Sequence, residues 1–169
     1  MKNHMHFFGW VALFSIVFFY ACGTSQKTVE KVKLAVDIRK AVEIPDFTFK
    51  ATYAYPTGYK SIYLSPYYDL KVSADTVKVY LPYYGRAYRA PLTPSEGGYR
   101  FTSTDFEYGV RKGKKKGNWD LLLTLRDLDR PLVFRLDLWE NGTARLDISD
   151  ADRQSISFQG DVVVKREEQ

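Results

Sequence analysis

From Pro45 onward the apolar residues of this chain recur at every second position in short segments broken by turn chemistry, and no later stretch carries a helical period. The segments are Phe47 to Tyr55, Tyr67 to Val72, Val77 to Leu81, Tyr99 to Thr102, Phe106 to Arg111, Trp119 to Arg126, Leu132 to Trp139, Thr143 to Ser149 and Ile156 to Lys165. Pro56-Thr57-Gly58, Gly97-Gly98, Gly113 with Gly117, and Asn141-Gly142 lie between them. Nine strands without intervening helices leave no crossover for parallel pairing. The fold expected is mainly β, an antiparallel sheet curled into a sandwich or a partly closed barrel.

One hairpin is legible residue by residue. Leu132, Phe134, Leu136 and Leu138 alternate with Val133, Arg135, Asp137 and Trp139, and in the partner Ala144, Leu146 and Ile148 alternate with Arg145 and Asp147. One apolar face requires Leu138 opposite Ala144, Leu136 opposite Leu146 and Phe134 opposite Ile148, because a slip of one residue turns a whole strand over. The loop is then Glu140-Asn141-Gly142, with Gly142 at positive φ. The same register sets Asp137 against Arg145 and Arg135 against Asp147, pairs expected to contribute about 0.2–1 kcal/mol each.

Ahead of the strands, Leu34, Ala35, Ile38, Ala41 and Val42 form one helical stripe within residues 29–44, and Pro45 ends it. This predicts an amphipathic N-terminal helix lying on the sheet. Still earlier, Lys2, His4 and His6 precede an uncharged run from Phe7 to Ala21, too short for the ~20 residues that span a bilayer. Phe19-Tyr-Ala-Cys22 resembles the lipobox of bacterial lipoproteins, with the small Ala21 before the cysteine and bulkier residues than usual before that. The resemblance implies cleavage after residue 21 and lipid on Cys22. Two or three acyl chains hold where one does not, at about 0.8 kcal/mol per buried methylene. The expected organisation is a signal peptide over 1–21, lipidated Cys22 with a tether to residue 28, the helix over 29–44, a single β-rich domain over 45–165 and a charged tail over 166–169. Gly23-Thr-Ser after Cys22 carries no acidic residue, which resembles lipoproteins kept at the outer membrane facing the periplasm. The expected localisation is therefore the cell envelope.

That organisation excludes several chemistries. Both histidines fall within the leader and the sequence has one cysteine, so the mature chain has no Ser-His-Asp or Cys-His nucleophile, no His-ligated zinc and no intrachain disulfide. No metal site and no cofactor is expected. The net charge of +5 on 169 residues is mildly basic, well short of a nucleic-acid binder, and nucleic acid is not an expected partner.

Tyrosine is the compositional anomaly. Ten of the 13 fall between Tyr53 and Tyr88, and tyrosine offers a flat apolar face with a polar tip. In Leu81-Pro-Tyr-Tyr-Gly-Arg-Ala-Tyr-Arg89 the bend at Pro82 and Gly85 brings Tyr83, Tyr84, Arg86, Tyr88 and Arg89 together as ligand-binding candidates. Alternation places Tyr84, Arg86 and Tyr88 outward and Tyr83 inward. A competing reading makes the tyrosines strand and core residues. Arg111, Lys112, Lys114, Lys115 and Lys116 form a basic hairpin tip, a candidate contact for an anionic surface at roughly 1 kcal/mol per cation. Asp127 and Asp129 read as solvent-facing turn residues, and Asp147, Asp150 and Asp152 lack the spacing of a calcium loop.

The order Phe47-Thr-Phe49, Ala54-Tyr-Pro-Thr-Gly58, Leu64-Ser-Pro-Tyr67, Asp75-Thr-Val77, Leu81-Pro-Tyr-Tyr-Gly-Arg-Ala-Tyr88, Lys114-Lys-Lys-Gly117, Trp139-Glu-Asn-Gly142 and Arg153-Gln-Ser-Ile-Ser-Phe158 resembles a family of small Bacteroides-type lipoproteins known as domain of unknown function 4251. The resemblance covers residues 45–163 and implies a β-rich envelope protein with no assigned catalytic residues. The function expected is a lipid-anchored, non-enzymatic module that binds a glycan, a peptide or another envelope component through its Tyr/Arg-rich region. A carboxylate-dependent hydrolase of envelope glycans and a structural or assembly factor of the envelope are the alternatives. The balance is against an enzyme, and the oligomeric state is left open.

Overall fold

The structure, a computed structural model, describes residues 24–89 and 97–165. Cys22, the signal peptide expected over 1–21 and the charged tail expected over 166–169 lie outside the described residues. Helix α1 (Thr24–Glu43) is followed by strands β1 (Phe47–Pro56), β2 (Ile62–Tyr63), β3 (Asp69–Val72), β4 (Val77–Pro82), β5 (Gly98–Ser103), β6 (Phe106–Lys112), β7 (Asn118–Leu125), β8 (Leu132–Trp139), β9 (Thr143–Asp150) and β10 (Arg153–Val164). The helix starts earlier than the expected 29, so the tether expected up to residue 28 is helical from Thr24. Gln26 and Lys27 carry little helical penalty, and each residue added to a formed turn gains a hydrogen bond.

All pairings are antiparallel, in the order β5-β4-β3-β1-β10-β9-β8-β7-β6, with β2 paired to β1. The sheet is nearly closed into a barrel. Its curvature brings β5 across to β8, where the Phe101 ring stacks on Phe134 (centroids 6.5 Å apart) and Tyr99 meets Phe134 edge-on at 6.4 Å. The barrel is filled by inward-facing residues from every strand except β2 and β6, among them Phe47, Phe49, Leu70, Val79, Leu121, Leu123, Phe134, Leu136, Leu146 and Phe158. Ile38, Ala41 and Val42 of the helix join this core, and Leu34 packs against it. The Tyr108 hydroxyl donates to the Val42 carbonyl (2.9 Å) and so satisfies one of the orphan acceptors of the last helical turn. Burial raises the pKa of that hydroxyl.

The β8–β9 hairpin has the expected register throughout, from Phe134 opposite Ile148 to Leu138 opposite Ala144, and Gly142 adopts φ +87° in the three-residue loop. The register also sets Asp137 opposite Arg145 and Arg135 opposite Asp147, as expected, but the side chains pair elsewhere. Arg145 turns along its own strand to Asp147 (3.1 Å) and donates to Ser157 Oγ (3.1 Å), Arg135 reaches Asp120 at 3.7 Å, and Asp137 accepts from the Asn118 amide. Guanidinium arms on a twisted, exposed face reach diagonal neighbours as readily as direct ones. Such pairs contribute little.

Two bulges set the phase of the strands. In β1 the partner register skips Thr52, so Phe47, Phe49 and Ala51 face inward but Tyr53 and Tyr55, of the same parity, face outward. Gly160 lies opposite Ala51 at this bulge, and a Cβ there would meet the Lys50 carbonyl oxygen at 1.9 Å. Gly160→Ala should therefore lower stability by about 1–3 kcal/mol, as overpacking does; unchanged urea unfolding would show that β1 and β10 can part at this point. In β10 the register shifts between Arg153 and Ile156, which turns Arg153 into the interior.

Asp127 is a solvent-facing turn residue, as expected, and it is also bonded into the fold. It accepts from Ser103 Oγ (2.6 Å) and from the backbone N–H of Thr104 (2.9 Å), clamping the corner where β5 passes into β6. The Ser103 hydroxyl first, and then the Thr104 amide, hold its carboxyl below the usual carboxylate value. A depressed carboxyl stabilises the fold fully above its unfolded pKa and loses that contribution as pH falls through the folded value, so the loss sets in only below the ordinary carboxyl value of about 4. Asp127→Asn should flatten the fall in urea midpoint between pH 5 and pH 2.5. An acid limb identical to wild type would refute the clamp.

Candidate binding surface

The tyrosine-rich segment divides into an outer sheet face and a strap. On the outer face, Tyr53 and Tyr55 of β1 are 39% and 37% exposed, and Tyr63 of β2 is 72% exposed. Tyr63 lies directly opposite Tyr53, and the two rings meet edge-on with centroids 5.3 Å apart. The Tyr55 hydroxyl donates to Gln159 Oε1 (2.9 Å), which orients its ring on the sheet. The Thr52 bulge produces this surface, since without it Tyr53 and Tyr55 would point into the core with Phe49. Past Tyr63 the chain follows β1 outside regular pairing, with Leu64 N–H donating to Thr52 and Ala51 N–H to Tyr68. A turn at Ser65–Tyr68 delays β3 to Asp69, two residues beyond the expected start at Tyr67.

The strap is the expected candidate loop. Beyond Pro82 it crosses to the start of β10, where Ala87 bridges Arg153, the Tyr88 N–H donates to the Asp152 carbonyl (2.7 Å) and the Gln154 N–H donates to the Arg86 carbonyl (3.0 Å). It takes over the edge of β10 that β1 leaves at Ile156. Tyr83 turns inward as expected, its hydroxyl shared between the carbonyls of Arg86 (2.7 Å) and Gln154 (3.1 Å). A Cβ on Gly85 would fall 2.7 Å from that hydroxyl, so any larger residue there would have to displace it. Burial raises the pKa of the Tyr83 and Tyr84 hydroxyls. Tyr84 corrects the expectation of an exposed residue: it is half-buried and packs against the core, because the strap does not continue the alternation of β4. Arg86, Tyr88 and Arg89 are exposed, Tyr88 at 71%, and Arg89 lies 3.5 Å from Asp152.

Beneath the strap sits a polar cluster that alternation could not reveal. The Arg153 guanidinium lies 5.0 Å from the Tyr83 ring centroid and 5.3 Å from that of Tyr99. Asp150 has no exposed side-chain surface; its Oδ1 accepts from Arg130 Nε (2.9 Å) and the Asp152 N–H (2.9 Å), and its Oδ2 lies 3.9 Å from Arg153 Nε. Burial raises the pKa of the Tyr99 hydroxyl, and the Asp150 charge adds to the effect. This cluster fastens the strap, which makes Tyr83 a packing residue.

The basic tip lies where expected, between β6 and β7, with Gly117 at φ +75°. Arg111, Lys112, Lys114, Lys115 and Lys116 are all exposed, and the Lys115 ammonium lies 5.6 Å from the Trp139 ring centroid.

Fold and surface together define a small, nearly closed antiparallel barrel with a helix at its N-terminal side and aromatic residues displayed on its outer face. The chain belongs to the DUF4251 family, whose model, described as a domain of unknown function, matches residues 30–162. Its fold is similar to that of a DUF4251 family protein from Bacteroides eggerthii, with a TM-score of 0.57 at 12% identity over 78% of this chain and 87% of that one. No curated protein matches the sequence.

Proposed function

We propose that this protein is a lipid-anchored, non-enzymatic module of the cell envelope, held through Cys22 at the outer membrane facing the periplasm, and that it binds glycan on its outer tyrosine surface. The observation that carries the reading is the cluster of Tyr53, Tyr55 and Tyr63 on the solvent side of strands whose other side is the core. Outward rings of this kind add little to the core and present flat apolar faces between polar groups, which suits sugar rings. Arg86, Tyr88 and Arg89 on the strap extend the surface along the same edge of β10 that carries Tyr55. Tyr53→Ser combined with Tyr63→Ser should leave the melting temperature within a few degrees of wild type and reduce binding to an oligosaccharide panel at least tenfold. Equal binding by wild type and variant, or no binding by either, would overturn the reading. Anchoring is tested separately: Cys22→Ala should accumulate the precursor, and a free Cys22 thiol in the mature protein would contradict it.

A further inference from the structure

We propose that the outer face of β3, β4 and β5 is a subsite for an acidic polysaccharide, one whose sugar rings carry carboxylates; this rests on the glycan-binding reading above and adds the chemistry of the ligand. The face holds an open depression of about 340 Å³ lined by Asp69, Lys78, Tyr80, Arg100 and Thr102, among others. In the register Tyr80 lies between Asp69 and Arg100. The Arg100 guanidinium lies 5.5 Å from the Tyr80 ring centroid, and the Tyr68 ring is packed 5.3 Å from Tyr80. An arginine steadied on an aromatic ring keeps its N–H fork free for a planar carboxylate.

The register places further cations around it. Lys78 is directly opposite Lys71, and Lys50 is directly opposite Asp69, which in turn opposes Tyr80 and, beyond it, Arg100. Like charges placed directly opposite destabilise a sheet. Among the described residues, none of Lys50, Lys71, Lys78 and Arg100 forms an ion pair. Four unneutralised cations on strands about 4.8 Å apart suit a polymer with repeated negative charges better than one isolated anion. Asp69, which also lines the depression, offers an acceptor for sugar hydroxyls beside the cations. Tyrosine faces on the neighbouring β1–β2 surface accommodate the rings of the same chain.

The test is equilibrium binding by the full-length protein in neutral detergent. Its probes are uronate oligomers (galacturonate, guluronate and glucuronate-containing), the same oligomers with their carboxyls reduced to alcohols, and vesicles of phosphatidylglycerol in phosphatidylcholine. At low salt at least one uronate oligomer should bind tenfold or more tightly than its reduced form, and the preference should shrink as salt rises. Arg100→Ala with Lys78→Ala should abolish the preference while leaving the melting temperature and the binding of the reduced form unchanged. Equal affinity for both forms, lost in the Tyr53/Tyr63 variant, would overturn this inference and leave the broader reading standing. Binding to the vesicles alone would overturn both in favour of a membrane surface, and absence of binding to every probe would overturn both.

Discussion

Replacing Asp150 with alanine should lower the unfolding free energy by about 3–5 kcal/mol, because it removes a fully buried carboxylate that bonds Arg130 and lies beside Arg153 at the edge of the core. Arg153 is 9% exposed and Arg130 23%, so neither can recover full hydration without moving. Loss of the Asp152 N–H acceptor would also loosen the β9–β10 turn. Since Arg153 lies against both the Tyr83 and Tyr99 rings, the strap should loosen with it. Hydrogen exchange of the Tyr88 and Gln154 amides would report the strap, and denaturant unfolding the whole domain. An Asp150→Ala protein with wild-type stability and protected strap amides would show that the ion cluster is incidental to the fold.

Phe134→Ala should cost a similar amount, about 3–5 kcal/mol, as for other large buried aromatics. Phe134 is fully buried in β8 and touches Tyr99 and Phe101 of β5, a strand far from it in the sheet order. Truncation therefore opens the contact across the barrel where no backbone pairing substitutes for it. Leu122→Ala, on the outer face of the adjacent β7 and 37% exposed, is the matched control and should cost well under half as much. Equal losses at the two positions would contradict a core closed by the rings of β5 and β8.

The legible and illegible parts of the fold divide at the bulges. Where a strand runs without interruption, as from Leu132 to Trp139, alternation identifies the face and the loop glycine identifies the turn, and the full β8–β9 register follows from those two constraints. At Thr52 and between Arg153 and Ile156 one extra residue inverts the phase, and no residue type there announces it. Simple alternation carried through β1 would have buried Tyr53 and Tyr55, and carried through β10 would have exposed Arg153. The abundance of tyrosine between residues 53 and 88 was visible in the composition, but its division between outer face, strap and core depends on those bulges and on the strap's hydrogen bonds. Asp127 and Asp150 were hidden for a related reason: their partners, Ser103 and Arg130, are supplied by other turns and strands.

The measurement that bears most directly on the binding account is a residue-resolved nuclear magnetic resonance titration of the full-length protein in detergent with the tightest-binding oligosaccharide. The account predicts shift changes concentrated at Tyr53, Tyr55, Tyr63 and the outward residues beside them on β1 and β2, saturating together, while Phe134, Leu136 and Leu146 in the core stay fixed. Changes confined to the basic tip from Arg111 to Lys116, or spread through the core as the domain loosens, would contradict it.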